Sequence, residues 1–293
     1  MIVAVVGPTA TGKSALGLEI ARALGGEVIN ADAMQLYRGM DVGTAKLTPA
    51  ERGGVAHHQL DVLQPWQEAS VAAYQRAARS DAAAIAARGH LPVVVGGSGL
   101  YVRAVLDRIE FPGTDAQVRA AVERRLAAGG PHALHDELRW RDPEAAARIA
   151  PANTRRVVRA LEVIELTGRP FSASLPQREY VHDTLQVGLR LPEDALRERI
   201  SVRVDQMLEG GFVEEVARLG AHLSRTAASA VGYPQLRAHL AGQCTLRQAR
   251  EDTVMATWRL VKKQLKWFGA DPRIAWFPTP EEALAHVLAR LEP

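Results

Sequence analysis

The chain of 293 residues has a formal net charge of +3, is 47% hydrophobic by residue count and contains a single cysteine. This length suits one large domain or two smaller ones, and the single cysteine excludes internal disulfides and a cysteine-rich metal site, which favours a reducing, cytoplasmic compartment. No apolar run approaches the roughly 18 residues of a membrane helix. The N-terminus has the pattern of a core strand rather than of a signal peptide, so we expect no membrane association.

The first residues predict a strand, a phosphate-binding loop and a helix. Ile2–Val6 is a β-branched apolar run typical of a buried strand, and Ala15–Leu24 has a helical pattern. Between them, "GPTATGKS" matches the P-loop pattern, in which backbone amides and a helix N-terminus bind phosphate. Lys13 would add a positive charge, and the Ser14 hydroxyl could ligate Mg²⁺. The predicted phosphate-binding residues are Gly7, Pro8, Thr9, Ala10, Thr11, Gly12, Lys13 and Ser14.

Two further strands are predicted to bring polar residues to the same place. "GEVINAD" predicts a strand that ends at Asp32, Ser70–Gly89 predicts an Ala-rich helix, and Pro92–Val95 predicts a strand before the turn Gly96–Gly99. Strands that alternate with helices predict a parallel sheet with helices on both faces. Ligands of such sheets bind at the carboxyl ends of the strands, so the phosphate-binding loop, Asp32 and the glycine-rich turn should share one cleft.

The pattern changes near Phe111. The following residues are helical and rich in arginine up to about Gly168, whereas Leu185–Leu191 predicts a strand that rejoins the first sheet. Helical patterns then continue to the C-terminus, with one short apolar piece, "RIAWFP". The predicted fold class is α/β: a P-loop NTPase-like parallel sheet flanked by helices, with an all-helical insertion domain. The predicted domains are a core of residues 1–112 and 185–293 and an insertion of residues 113–184.

Two polar residues of the predicted cleft have the chemistry of a reactive site. A carboxylate at a strand end, as at Asp32, can act as a general base or ligate Mg²⁺ through water; the alternative is a turn or helix-capping aspartate. Ser98 supplies a hydroxyl among glycines that allow close approach of a ligand, whereas the alternative is a bare turn.

Basic residues form two further groups. The stretch "DTVMATWRLVKKQLKWFG" predicts a helix with a basic face beside aromatic residues, which suits an RNA loop; core anchors on a solvated helix are the alternative. The basic residues are Arg259, Lys262, Lys263 and Lys266, and the aromatic residues are Trp258, Trp267 and Phe268. In the predicted insertion, a phosphate-binding groove or simple surface solubility would explain Arg119, Arg155, Arg156 and Arg159.

The residues alone leave three classes of protein open. A small-molecule kinase would bind ATP at the loop and use a nearby base. A GTPase is disfavoured because no Asn-Lys-x-Asp motif is present. A non-catalytic nucleic-acid-binding module would explain the arginines but not the combination of the P-loop with Asp32.

Eight stretches together carry a family resemblance. They are "GPTATGKS" (7–14), "ADAMQLYRGMDVGTAK" (31–46), "HHQLDV" (57–62), "PVVVGGSGLY" (92–101), "RRVVRALEV" (155–163), "RISVRVDQMLEGGFVEEVARL" (199–219), "VGY" (231–233) and "KKQLKWF" (262–268). On these motifs the chain closely resembles, nearly from end to end, the tRNA dimethylallyltransferase family, also called tRNA isopentenyltransferases.

The resemblance implies a reaction. The loop would hold the diphosphate of dimethylallyl diphosphate, and the acceptor would be N6 of the adenosine just 3′ of a tRNA anticodon. Lys13 and Mg²⁺ held through Ser14 would stabilise the leaving diphosphate, Asp32 would be the general base, and Ser98 would orient the donor or the amine. We expect a monomer in which the insertion grips the anticodon stem-loop. The tRNA-binding residues that the resemblance implies are Asp32, Ala33, Met34, Gln35, Ser98, Arg119, Arg155, Arg156 and Arg159.

The chain departs from the family pattern mainly near its C-terminus. Ala33 and Ser98 replace the common serine and threonine, and Trp258 replaces an arginine, which lowers the expectation of phosphate contacts there. Three alternatives stay open: an adenylate isopentenyltransferase that prenylates free nucleotides, an ATP-dependent phosphotransferase, and a tRNA-binding protein without catalysis. The arginine-rich insertion disfavours the first, and the P-loop lysine with Asp32 disfavours the last.

Overall fold

The structure is a computed structural model that describes residues 1–174 and 178–291. The strands are β1 Ile2–Val6, β2 Gly26–Asn30, β3 His57–His58, β4 Leu91–Gly96, β5 Thr184–Leu189 and β6 Ile274–Phe277. The helices are α1 Lys13–Ala23, α2 Pro49–Arg52, α3 Val71–Ala87, α4 Gly99–Leu106, α5 Ala116–Arg141, α6 Pro143–Arg148, α7 Thr154–Thr167, α8 Glu193–Glu209, α9 Phe212–Leu219, α10 Arg225–Ala228, α11 Tyr233–Leu240, α12 Leu246–Gly269 and α13 Pro280–Leu291.

The strands form one parallel sheet in the order β3-β2-β4-β1-β5-β6. In the centre, Val3 of β1 lies opposite Val93 of β4 on one side and Leu185 of β5 on the other. Because every strand runs in the same direction, all the carboxyl ends lie at one edge of the sheet. The predicted α/β fold class is therefore confirmed. The sequence did not predict the two edge strands, β3 and β6, because strands of two and four residues are too short for a periodic pattern.

The prediction that the second strand reaches Asp32 is wrong, since β2 ends at Asn30. The Asn30 side chain accepts a hydrogen bond from the Asp32 N–H at 3.0 Å and donates one to the Asp32 carbonyl at 3.0 Å. An asparagine that binds the backbone two residues further on offers it an alternative to strand pairing. The chain therefore turns at the sheet edge and carries Asp32 into the loop.

The main hydrophobic core lies between the sheet and helices α1 and α13. Val3, Val93 and Val187 of neighbouring strands are fully buried there beside Leu16 of α1. Gly17 allows α1 to approach the sheet closely, since an added Cβ would collide with the Val95 side chain. This packing holds α1, and with it the P-loop, rigidly against the strands.

The chain divides into two compact units, Met1–Leu106 with Tyr180–Pro293, and Asp107–Glu179. The second unit contains α5, α6 and α7, and its own core includes Leu134, Leu138 and Leu161. Its bounds lie close to the predicted insertion of residues 113–184. Within the described residues, none of the helices has both the length and the apolar character needed to cross a membrane.

Candidate active site

The phosphate-binding loop lies between β1 and α1, as predicted. Gly7 and Gly12 have φ values of 132° and 97°, in the region that favours glycine. A Cβ on Gly7 would also lie 2.9 Å from the Leu189 carbonyl oxygen, so no larger residue fits there. The Thr11 hydroxyl donates to the Pro8 carbonyl at 2.9 Å and closes the loop from within. The loop is therefore a defined cradle at the carboxyl edge of the sheet.

Lys13 is the cation of this loop, and its ammonium group donates to the Pro8 carbonyl oxygen. Burial of that group and, to a smaller extent, the positive charge of Arg203 lower the pKa of Lys13 to about 7, although the negative charge of Asp32 acts in the opposite direction. An anion bound in the loop would favour the charged form and raise this pKa again. Binding of an anionic ligand would therefore convert neutral Lys13 to its protonated, positively charged form.

Two cavities open beside the loop. The first, which we call the phosphate cavity, has a volume of about 330 Å³, and the second, the apolar cavity, has a volume of about 360 Å³. They share one set of lining residues and therefore meet. The shared residues are Thr9, Asp32, Thr44, Gly97, Arg203 and Gln264.

The phosphate cavity is lined on one side by the loop. Its loop residues are Thr9, Ala10, Gly12, Lys13 and Ser14. The cavity lining also includes Lys46, whose buried ammonium group lies 2.6 Å from a carboxylate oxygen of Asp41 and 2.6 Å from one of Asp61. These two carboxylates hold Lys46 in place, so its charge is already paired, whereas Lys13 faces the cavity beside a second cation, Arg203.

The apolar cavity lies between α8, α12 and the glycine-rich turn. Its larger apolar lining residues are Met34, Leu100, Ile200, Val204, Met207, Val231, Leu260 and Trp267. Trp267 is 46% exposed, and an added Cβ on Gly99 would collide with its indole. The ring therefore packs directly on the turn and covers one side of the cavity. An aromatic and aliphatic cavity with a few polar groups is typical of a site that binds a small organic ligand.

Asp32 lies where the two cavities meet. One carboxylate oxygen, Oδ1, accepts a hydrogen bond from the Met34 N–H at 2.9 Å. This contact holds the carboxylate, and the Asn30 side chain holds the backbone of Asp32 on both its N–H and its carbonyl. Asp32 therefore stands between an anion-binding cavity and an apolar cavity, in the electric field of Lys13 and Arg203.

The other predicted residues near Asp32 are partly engaged by the protein itself. The Ser98 hydroxyl accepts a hydrogen bond from the Ala33 N–H at 3.1 Å and still has its own hydrogen to donate into the apolar cavity. Ala33 is buried, so its methyl group packs inside the protein. Gln35 lines the phosphate cavity but donates to the Thr44 carbonyl at 3.1 Å. Met34 lines the apolar cavity.

Sequence reasoning did not assign Arg203 or His57 to the site. Arg203 of α8 lines both cavities, and burial lowers its pKa while Asp32 raises it. His57 lines the phosphate cavity; its Nδ1 lies 2.8 Å from the Val55 carbonyl oxygen, and burial lowers its pKa. A neutral His57 that donates from Nδ1 presents Nε2 as an acceptor. Both residues lie in stretches that carry the family resemblance, and this position is the one feature of the sequence that could have indicated a role in the site.

The basic and aromatic helix α12 divides its residues between the core and the surface. Trp258 and Phe268 are buried, so for these two the interpretation as core anchors is confirmed and the interpretation as RNA-stacking residues is wrong. The guanidinium of Arg197 lies 4.0 Å from the centre of the Trp258 ring. The basic residues predicted to form one face of this helix are all exposed: Arg259, Lys262, Lys263 and Lys266. Of these, Lys263 lines the apolar cavity.

The four predicted arginines of the second unit fall into two pairs. Arg119 and Arg159 lie 3.5 Å and 3.0 Å from the same carboxylate oxygen of Glu162, which is fully buried. Arg159 also donates to two backbone carbonyls at the start of the unit. Arg155 and Arg156 are exposed and have no ion-pair partner in the part of the chain that the structure describes. The first pair is therefore structural, and the second is available to an external anion.

The fold and the site define a P-loop α/β protein whose anion-binding loop adjoins an apolar cavity through one carboxylate. The family model for IPP transferases matches residues 35–271. Among similar proteins, the tRNA dimethylallyltransferase of Streptomyces coelicolor is 57% identical over 94% of this chain and 89% of its own length. That of Kocuria rhizophila is 59% identical over 94% of this chain and 88% of its own length. The chain belongs to the IPP transferase family.

Two solved structures are also similar. The tRNA isopentenylpyrophosphate transferase of Bacillus halodurans matches with a TM-score of 0.73 and 39% identity, over 99% of this chain and 96% of that one. A eukaryotic dimethylallyltransferase acting on tRNA matches with a TM-score of 0.84 and 25% identity, over 98% of this chain and 77% of that one. The family resemblance predicted from the motifs is thus confirmed.

Proposed function

We propose that the chain transfers the dimethylallyl group of dimethylallyl diphosphate to N6 of the adenosine just 3′ of a tRNA anticodon, with release of diphosphate. The observation that carries this proposal is the position of Asp32, where the phosphate cavity meets the apolar cavity. A prenyl transfer needs this arrangement, because the diphosphate must leave one side of a carbon atom while the amine of a flat base approaches the other side. The names of the similar proteins support the same reaction.

The phosphate cavity would bind the donor, dimethylallyl diphosphate. As the allylic C–O bond breaks, negative charge builds on the diphosphate oxygens. The loop amides, Lys13 and Arg203 would stabilise that charge, and donors and cations aimed at a developing charge usually contribute more to rate acceleration than any other effect. The lowered pKa of Lys13 fits this role, since the anion itself restores the charge where it is needed.

Asp32 and the apolar cavity would bind the acceptor, the adenine base that carries the N6 amine. The N6 amine of adenine is a weak nucleophile because its lone pair is delocalised into the ring. Asp32 accepts a proton from this amine as the new C–N bond forms, while the Met34 N–H holds its other side in place. The base must leave the stacked anticodon loop to reach the cavity, where Trp267 and Leu260 offer apolar contact.

Mg²⁺ fits the donor groups of the phosphate cavity. The Ser14 hydroxyl and the Asp32 carboxylate both line it, and Mg²⁺ prefers such oxygen ligands together with substrate phosphates. Among the described residues there is no cluster of three or more His, Cys, Asp or Glu side chains that would form a metal site from protein groups alone. When bound, Mg²⁺ would neutralise charge on the departing diphosphate.

The second unit is proposed to bind the anticodon stem-loop. Its exposed Arg155 and Arg156 support phosphate contacts, whereas Arg119 and Arg159 support the unit itself through Glu162. The expected monomeric state and cytoplasmic location stay predictions.

The test is incorporation of radiolabelled dimethylallyl diphosphate into an unmodified tRNA transcript, with Mg²⁺ and without ATP. The matched control is the same transcript with guanosine in place of the adenosine 3′ of the anticodon. Label in the first RNA but not in the second, and none in AMP offered as sole acceptor, is the expected result. Label in AMP alone would move the activity to free nucleotides. Phosphoryl transfer from ATP without prenyl transfer would overturn the proposal.

A further inference from the structure

One side chain of α12 joins the two loops that line both cavities. The Gln264 Oε1 accepts a hydrogen bond from the Thr9 N–H of the phosphate-binding loop at 3.0 Å. Its Nε2 donates to the Gly97 carbonyl of the glycine-rich turn at 3.0 Å. Gln264 is only 8% exposed, and it lines both cavities together with Thr9 and Gly97. The amide is thus a clasp between these loops.

The two partners determine which way the amide points. Thr9 offers only an N–H and Gly97 only a carbonyl oxygen, so the oxygen of Gln264 must face the first and its nitrogen the second. Gly97 is suited to this contact, because an added Cβ would collide with Nε2 of Gln264. Near pH 7, where a glutamate would be ionised and could only accept, no other neutral side chain of this length can donate at one end and accept at the other. At that pH the position therefore requires an amide.

Further hydrogen bonds connect the glycine-rich turn to the loop of Asp32. Next to Gly97, the Ser98 N–H donates to the Ala31 carbonyl at 3.3 Å, and the Ser98 hydroxyl accepts from the Ala33 N–H. Ala31 and Ala33 flank Asp32 in the chain. A short series of hydrogen bonds thus runs from the loop of Lys13 through Gln264 to the loop of Asp32.

We propose that Gln264 is a positioning residue that sets the distance between the bound diphosphate and the acceptor amine. It acts through Thr9 and Gly97 rather than on the substrates. The inference rests on the proposed function, since it concerns the relative placement of a donor and an acceptor. A displacement of about 1 Å between reacting groups can lower a rate on the order of 100-fold, so a loose clasp would show in the chemical step.

The helix that carries Gln264 has other anchors. Trp258, Val261 and Phe268 are buried on the same helix and do not depend on the amide. Loss of the clasp should therefore leave α12 packed. This separates a positioning role from support of the fold.

The experiment compares Gln264→Met with the unchanged protein. Methionine has a similar length and apolar packing but makes neither hydrogen bond. The matched control is Gln248→Met, an exposed glutamine of the same helix that contacts Asp252. We expect the single-turnover rate of prenyl transfer with saturating donor and tRNA to fall about 10- to 100-fold in Gln264→Met and to stay unchanged in the control. The melting temperature should fall by only a few degrees, because two backbone groups lose their partners, and the Kd values for inorganic diphosphate and tRNA should change little.

Gln264→Glu provides a second readout. Its carboxylate can accept from Thr9 but cannot donate to Gly97, whereas the protonated carboxyl can do both. The ratio of its rate to that of the unchanged protein should therefore rise as the pH falls. The other charged or titratable groups that line the two cavities occur in both proteins and cancel in this ratio. They are Lys13, Asp32, Lys46, Glu51, His57, Arg203 and Lys263.

Each contrary outcome has a definite meaning. An unchanged rate in Gln264→Met would overturn the positioning role. A fall in rate that is matched by a much lower melting temperature and weaker diphosphate binding would also overturn it, because Gln264 would then only support the loop. If the unchanged protein transfers no prenyl group to tRNA, the proposed function fails, and this inference fails with it.

Discussion

The hydroxyl of Tyr233 donates a hydrogen bond of 2.6 Å to Oε1 of Glu215, and both residues are buried. The same carboxylate accepts from the backbone N–H groups of Asp41 and Val42 at 2.8 Å each and of Gly43 at 3.0 Å. Burial and the Glu215 charge raise the pKa of Tyr233, so its hydroxyl keeps its proton. A single glutamate of α9 therefore holds the loop that leads to Thr44, a residue shared by both cavities.

Replacement of this glutamate by glutamine should destabilise the protein. In Glu215→Gln, an NH₂ group must face backbone N–H donors, so at least one of these partly buried donors loses its partner. We expect a loss of about 2 to 3 kcal/mol in the free energy of unfolding, measured by urea denaturation. Glu214→Gln is the matched control, because Glu214 is the exposed neighbour. Equal stability of the two variants would show that the Glu215 carboxylate does not hold the loop.

The carboxylate of Asp32 is expected to be needed for chemistry rather than for binding. Asp32→Asn keeps the shape and the contact with the Met34 N–H but cannot accept a proton. The rate of prenyl transfer should fall about 100- to 10,000-fold, with the tRNA Kd nearly unchanged. Asp194→Asn, at an exposed position of α8, serves as the control. Full activity of Asp32→Asn would remove this residue from the role of general base.

Lys13 should take up a proton when diphosphate binds. Its pKa of about 7 means that much of it is neutral at pH 8 in the free protein, and the bound anion raises the pKa and restores the charge. Affinity for inorganic diphosphate should therefore weaken as the pH rises above about 7. Calorimetry at pH 8 in two buffers with different ionisation heats measures the proton uptake.

Lys13→Arg is the control for this titration, since arginine stays charged throughout. Protons taken up by the ligand itself occur with both proteins, so the difference between them belongs to Lys13. The same uptake in both proteins would contradict a lowered pKa at Lys13.

The two pairs of arginines in the second unit should behave differently. Arg156→Ala should weaken tRNA binding and reduce the slope of log K against log salt by about 1, because each lost phosphate contact releases fewer counterions. Arg159→Ala should instead lower the stability of the unit, since it leaves the buried Glu162 with fewer partners. Filter binding over a salt series and urea denaturation measure the two effects.

Arg148→Ala is the matched control for the binding experiment. Arg148 is exposed like Arg156 but pairs with Glu144 at 2.7 Å on the same helix. Its removal should leave the salt slope unchanged. A tRNA affinity that is the same in Arg156→Ala as in the unchanged protein would argue against this surface as the tRNA contact.

The sequence by itself determined the parallel α/β fold, the phosphate-binding loop and the place of Asp32 and Ser98 in one cleft. It could do so because each of these depends on short-range patterns. Glycines at residues 7 and 12 indicate a backbone with positive φ values. Apolar runs indicate buried strands, and the carboxyl ends of such parallel strands meet at one edge of the sheet. The motifs at their spacings also indicated the family.

The tertiary structure alone decided which polar residues are free to act and which are held. Glu162 engages Arg119 and Arg159 but not Arg155 or Arg156, although all four arginines look alike in the sequence. Trp258 is buried while Trp267 lines a cavity on the same helix. The physical reason is that burial and pairing depend on side chains far apart in the chain. The contact of Gln264 with Thr9, 255 residues away, has no local pattern from which it could be predicted.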